Sequence, residues 1–207
     1  MFITFEGIEG SGKTTQINLL YEYLKSKGYD VIKTREPGGT EIGEFLRDLL
    51  LNKDRHIAPK TELLLIMAIR AQHVKDVIIP AIKDKKIVLC DRFFDATYAY
   101  QGYGRGIDLK TIKFINNFVT EGITPDLTIL IDYDVIDGLA RRMNNTGHMD
   151  RFEKEGFSFH KKIRDAYLKL SQEHRERFLV LDGSESVEKI HKIIKDRVDS
   201  LINARGL

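Results

Sequence analysis

Gly7-Ile8-Glu9-Gly10-Ser11-Gly12-Lys13-Thr14 matches the pattern G-x-x-x-x-G-K-S/T, in which every fixed position is a partner for an anion or a metal. The glycines let backbone N–H groups converge on phosphate oxygens, the lysine reaches β- and γ-phosphates, and the threonine hydroxyl is a ligand for Mg²⁺. Such a cradle needs a strand before it and a helix after it. Phe2–Phe5 reads as a buried strand, and residues 14–27 read as a helix whose N-terminus adds partial positive charge. Gly7 to Thr14 are therefore candidate ATP-binding positions, with Lys13 also catalytic and Thr14 a metal position. A second metal position is Asp91, the acid that ends the apolar run Ile87-Val88-Leu89-Cys90. Leu127 to Asp132 ends in the same way, so Asp91 alone could equally be an acidic strand cap; Arg92 beside it favours the functional reading.

The cradle by itself is common to GTPases, ATPases, motors and small-molecule kinases. A nucleotide-binding switch is disfavoured here. The chain has no Asp-x-x-Gly, and its near match to the guanine-reading Asn-Lys-x-Asp, Asn52-Lys53-Asp54, brings the acid one position too early. Four further strings point to a small-molecule kinase: Thr34-Arg35-Glu36-Pro37-Gly38-Gly39-Thr40, Arg70-Ala71-Gln72-His73, Asp91-Arg92-Phe93 running on to Tyr100-Gln101-Gly102, and Gly104-Arg105-Gly106-Ile107-Asp108. In this order and spacing they resemble the thymidylate kinase family, and the likeness extends over nearly the whole chain, through Asp150-Arg151-Phe152-Glu153 to Tyr167.

The resemblance implies transfer of the γ-phosphoryl group of Mg²⁺-ATP to dTMP, in the synthesis of pyrimidine deoxynucleotides, by a homodimer. It implies that Arg35 and Arg92 grip the acceptor's 5′-phosphate, which suits the planar, permanently charged guanidinium. By the same likeness Arg70, Thr97 and Gln101 address the thymine edge, while Glu9 faces the deoxyribose 3′-hydroxyl or the metal. The residues alone leave other readings open. Arg35 could be a solvated loop charge, Arg70 a surface salt-bridge partner at the end of the apolar run Leu63–Ile69, and Tyr100 either a ring near the sugar or core filling. A kinase for AMP, CMP or shikimate remains the alternative, because acceptor choice rests on Arg70, Thr97 and Gln101.

Two features depart from the family pattern. Ile66 stands where many relatives carry an aromatic residue that stacks on the base, which leaves Phe93 or another ring for that task. The cradle has no arginine among Ile8, Glu9 and Ser11, so the arginine of the transition state is expected from a lid at about residues 141–156. Thr146 occupies one lid position that is often arginine, and Arg142 and Arg151 are then the leading candidates, with Arg141 behind them.

These groups need a scaffold, and the apolar runs supply one. Phe2–Phe5, Val31–Thr34, Ile87–Cys90, Leu127–Ile131 and Phe178–Leu181 alternate with helix-like stretches. That order predicts a P-loop α/β fold over residues 1–207 as one domain: a five-stranded parallel sheet with helices on both faces and a short lid. Pro37-Gly38-Gly39, Gly102–Gly106 and Asn144–Gly147 read as the breaks, the last as part of a lid hinge. A net charge of +2 is too small a field to suggest nucleic acid as the partner. Lone Cys90 excludes an internal disulfide, the histidines form no close metal-ligand spacing, and the seven-residue run Leu63–Ile69 is too short to span a bilayer. With MFITFEG at its start instead of a charged leader, the chain is expected to be cytoplasmic and not membrane-bound. Lys13→Ala should abolish turnover while circular dichroism and melting stay near wild type; near-normal turnover would remove Lys13 from the cradle.

Overall fold

A computed structural model describes residues 1–147 and 150–206, apart from the side chains of Asn145 and Thr146. Each apolar run becomes a parallel strand one residue longer than the run: β1 Phe2–Glu6, β2 Val31–Arg35, β3 Ile87–Asp91, β4 Leu127–Asp132 and β5 Phe178–Asp182. The added residue is charged in every case: Arg35 and Asp182 are exposed and Asp91 and Asp132 half-buried, whereas Glu6 stays fully buried. The strand order is β2-β3-β1-β4-β5. Arg35 lies opposite Asp91, and Asp91 opposite Phe5. The ends of β1, β2 and β3 therefore finish level beside β1, where the order reverses and an open sheet binds its ligands.

Alternation along the strands sends side chains to two cores. In β3, Ile87 and Leu89 enter one and Val88 and Cys90 the other. The first is closed by α1 (Lys13–Ser26), through Ile17, Leu20 and Leu24, and by α9 (Val187–Arg205), through Ile190, Ile194, Val198 and Ile202. Those spacings of three and four are one face of a helix. The opposite side is covered by α3 (Pro59–His73), α6 (Leu109–Thr120) and α8 (Phe157–Glu173). α2 (Glu41–Leu51) packs on α3 and is capped by Thr40, whose hydroxyl accepts the Gly43 N–H. Past α3 one π-wound stretch, Val74–Ile78, leads into α4 (Ile79–Lys83).

Two of the expected breaks are helical. After α5 (Phe94–Thr97) the chain continues as a π-wound helix over Tyr98–Gly104. Its glycines serve close packing: a Cβ on Gly102 would come within 2.6 Å of Leu109, and one on Gly104 within 2.7 Å of the Phe159 ring. Only Gly106, at φ +78°, turns the chain. Likewise α7 (Val135–Thr146) includes Asn144 in its last turn, and Gly147, at φ 70°, ends it. Of the expected hinge, the side chains of Asn145 and Thr146 fall outside the described residues. Among the described residues, no helix is long and apolar enough to cross a membrane.

Candidate active site

Gly7, Gly10 and Gly12 all have positive φ, at 138°, 72° and 99°, values that side chains other than glycine's rarely tolerate. Gly12 caps α1 without any side-chain hydrogen bond, so the first N–H groups of α1 are uncapped donors for an anion. Lys13 folds back over the loop and donates to the carbonyls of Gly7 (3.0 Å) and Ile8 (2.8 Å). Ile8 is buried in the core under the loop, and Ser11 is 2% exposed with its hydroxyl facing Lys13. The far wall of the loop rests on α7: a Cβ on Gly10 would meet the Gly138 carbonyl oxygen at 2.0 Å. That contact sets the helix carrying Arg141 and Arg142 directly on the cradle.

Thr14 donates its hydroxyl to Asp91 at 3.2 Å. The pair offers two oxygens at the mouth of the loop, and among the described residues no group of three His, Cys, Asp or Glu could enclose a metal. This donor set fits Mg²⁺, which takes one or two protein oxygens and completes its shell with phosphates and water.

Cradle and recess open into one pocket of about 320 Å³, and three consecutive residues join them. Asp91 meets Thr14; Arg92 donates to Glu9 (3.1 Å) and to the Tyr167 hydroxyl (2.9 Å); the Phe93 carbonyl accepts from Arg70 (3.1 Å). Arg92 sits at φ 68°, a left-handed conformation that costs an ordinary residue about 1–2 kcal/mol. Glu6 holds the turn by accepting the Phe93 N–H at 2.8 Å and the Tyr167 hydroxyl at 2.7 Å. Burial, with help from Asp95, raises the Glu6 carboxyl to about 7. For Glu9, burial again pushes upward, but Arg92, His160, Lys13 and Tyr100 outweigh it and hold this carboxyl well below the usual range. Tyr100 packs its ring edge-on against Phe152 and Phe159, as core filling requires, and also lines the pocket with its hydroxyl donating to Glu9.

Beyond Phe93 the pocket is lined by Ile66, Arg70, Thr97 and Gln101. Arg70 is not a surface ion-pair partner. It is 1% exposed and spends four N–H groups on Glu36 (2.7 Å), Thr97 (2.8 Å), Asn116 (2.6 Å) and the Phe93 carbonyl. A guanidinium has five, so among the described residues one Nη2 N–H is left over. The Phe93 ring lies under this guanidinium at 5.2 Å. Arg35 also lines the pocket while half exposed and paired with Glu44 at 2.7 Å.

The lid candidates separate. Arg142 lines the pocket from α7 and pairs with Glu153. Arg151 is not brought there: it donates to the Leu50 carbonyl and to the buried Glu62, both at 2.8 Å, and so ties its segment to α2 and α3. Arg141 lies over the Tyr133 ring at 4.5 Å with Nη1 3.5 Å from the Gly10 carbonyl.

Residues 5–194 match the family model for thymidylate kinase. The chain belongs to the thymidylate kinase family. It is 54% identical over 203 residues to a thymidylate kinase of Pelobacter propionicus (95% of this chain, 93% of the relative), and 49% identical over 197 residues to one of Thermoanaerobacter sp. strain X514 (95% and 96%). A crystal structure of thymidylate kinase from Ehrlichia chaffeensis superposes with a TM-score of 0.78 at 38% identity, covering 96% of this chain and 98% of that one.

The structure adds residues that the motifs of this thymidylate kinase family member do not single out. Arg47 lines the pocket and donates to the Pro37 carbonyl. Its spacing from buried Gly43 and Leu50 on α2 was the available signal. Glu62 becomes visible only through partners distant in sequence, and Glu36 and Tyr167, which the strings contain without a role, gain one only through theirs. The cradle itself titrates. Burial first, then the positive charge of Arg92, lowers Lys13 to about 8. A polyphosphate bound beside it would raise it again, so proton uptake is expected to accompany binding at alkaline pH. The dissociation constant of metal-free ADP, measured calorimetrically, should rise by about tenfold per pH unit above about pH 8. Lys13→Ala should flatten that slope, and an unchanged slope would mean that another group titrates.

Proposed function

We propose that this protein is an ATP-dependent dTMP kinase that transfers the γ-phosphoryl group to the 5′-phosphate of dTMP in line. The observation that carries the reading is the 91–93 turn, which joins a phosphate cradle and a polar recess in one pocket. Two polyanions must approach each other there, so the work is positioning and neutralisation of charge. Lys13 and the α1 N-terminus take the donor's phosphates; Arg35, Arg47 and Arg92 take the acceptor's. The attacking phosphate oxygen is already anionic near neutral pH, so no general base is required. Glu9, held ionised by Arg92, keeps Arg92 in place and faces the deoxyribose. Mg²⁺ held by the Thr14 and Asp91 oxygens would supply further neutralisation of the donor. Arg142 stabilises the phosphoryl group in flight, with Arg151 as the lid's anchor. The whole chain acts as one catalytic domain, with residues 141–156 closing to exclude water.

In the recess, the remaining Arg70 N–H and the Thr97 hydroxyl meet the base's O4, and Gln101 meets N3. Ile66 and the Phe93 face supply apolar contact where many relatives place a stacking ring. The turn Leu181–Ser184, beside Asp132 through Gly183, borders the adenine of ATP. A cytoplasmic setting is in keeping with the single free thiol, Cys90.

A homodimer is supported by an apolar face on adjoining helices. Ile42 and Phe45 of α2, Leu64 of α3, and Phe114 and Phe118 of α6 are 55–77% exposed, a cluster that needs a cover. A second copy related by two-fold symmetry provides one.

ADP formation should be fastest with dTMP among dTMP, dUMP, AMP, CMP and shikimate; turnover led by another acceptor would discard this recess, and hydrolysis without an acceptor would mark an NTPase. Arg92→Ala should raise KM for dTMP at least about tenfold, as expected for a lost charge-assisted contact, with KM for ATP little changed; equal losses would remove Arg92 from the acceptor side. In sedimentation, Phe114→Lys/Phe118→Lys should give a monomer, and an intact dimer would place the interface elsewhere.

A further inference from the structure

We infer that Glu62 sets which base the recess accepts, by deciding which end of the Gln101 amide faces it. This rests on the acceptor reading above. Glu62 lies on α3, fully buried, and is not part of the pocket lining. Its Oε1 accepts from Gln101 Nε2 at 2.7 Å and from Arg105 Nε at 3.3 Å. Its Oε2 is 2.8 Å from Arg151 Nη1 and 3.2 Å from Arg105 Nη2. Two guanidinium groups thus fix the carboxylate and offset its charge, Arg105 being shared with Glu155, and it cannot turn away from Gln101.

An amide can be turned over without changing its shape, so orientation must come from its partners. A carboxylate only accepts hydrogen bonds. With Glu62 behind it, Gln101 must direct its NH₂ group to Glu62, since the reverse would set two oxygens face to face in a dry interior. Gln101 Oε1 takes no hydrogen bond among the described residues, and Gln101 lines the pocket. The recess therefore presents an acceptor from Gln101 and a donor from the fifth Arg70 N–H, whose other four are occupied. That pair complements the N3–H and O4 of thymine or uracil. Cytosine offers the opposite polarity at both positions, an acceptor at N3 and a donor at N4. Sites built to hydrogen-bond a substrate reject a mismatched analogue because buried polar groups are left unpaired.

Glu62→Gln removes the instruction, because its own amide can present either end to Gln101. The experiment compares kcat/KM for dTMP and dCMP, with KM for ATP and the melting temperature measured alongside. The expected result is a loss of dTMP preference over dCMP of about tenfold or more, borne mainly by KM for dTMP, with KM for ATP unchanged. A proportional fall for both acceptors would make Glu62 a scaffold residue only and overturn the inference. Gln101→Leu separates the two levels. If it leaves the dTMP:dCMP ratio at the wild-type value, the acceptor reading of the recess fails; if it collapses the ratio and Glu62→Gln does not, only the Glu62 inference fails. Should Glu62→Gln not fold, Glu62→Asp keeps the charge opposite Arg105 and Arg151 while drawing the oxygen back from Gln101, and the same two outcomes apply.

Discussion

Arg92 holds a permanently charged guanidinium, 15% exposed, on a backbone turned into the left-handed region. Neither condition is stable without support, and much of the pocket is that support. The backbone is pinned on both sides: the Arg92 N–H donates to the Phe5 carbonyl at 2.9 Å, the Cys90 thiol to the Arg92 carbonyl at 3.0 Å, and the Phe93 N–H to Glu6. The side chain is pinned by Glu9 and Tyr167, with the Tyr100 ring 5.0 Å beneath it. Burying this one cation thus recruits the end of β1, the cradle, the π-wound helix and α8. Strain of this kind persists only where the surroundings over-determine it.

The same balance recurs across the site. Four arginines of the site are paired with carboxylates in this way: Arg92 with Glu9, Arg70 with Glu36, and Arg105 and Arg151 together with Glu62. A buried charge without a partner would be driven to neutralise or to escape. Guanidinium groups stay charged, so the carboxylates must be present before any phosphate arrives. For Glu36, burial works upward, yet Arg70 and His73 prevail and lower its pKa. The pairing also leaves a defined remainder. Among the described residues, Arg70 retains one N–H, and Gln101 one oxygen, after their protein partners are counted. What a ligand meets is what the protein has not already used.

The segment proposed as a lid is built with the same parts. Gly10 and Gly138 let α7 approach the cradle more closely than any side chain would permit, so Arg142 reaches the pocket from a helix seated on the phosphate loop. Arg151, one short segment later, is held by Glu62 and the Leu50 carbonyl. Similar residues in one stretch of chain therefore have different surroundings: Arg142 lines the pocket, and Arg151 holds the segment to α2 and α3.

The sequence by itself determined the cradle, the five strands and the family, because these depend on local rules. Glycines at fixed spacing, β-branched runs and a lysine next to the helix start mean the same thing wherever they occur. Arg35, Arg92, Thr97 and Gln101 could be named only through the family resemblance, which short contiguous strings carry. The tertiary structure decided what depends on neighbours far along the chain. It buried Arg70 against Glu36, set Arg151 away from the pocket, brought in Arg47, and made the glycines of 102–104 packing positions inside a helix. Glu62 is the clearest case. In the sequence it is one acid in the first turn of a helix, and only the approach of Gln101, Arg105 and Arg151, from 39, 43 and 89 residues away, gives its carboxylate a direction to enforce.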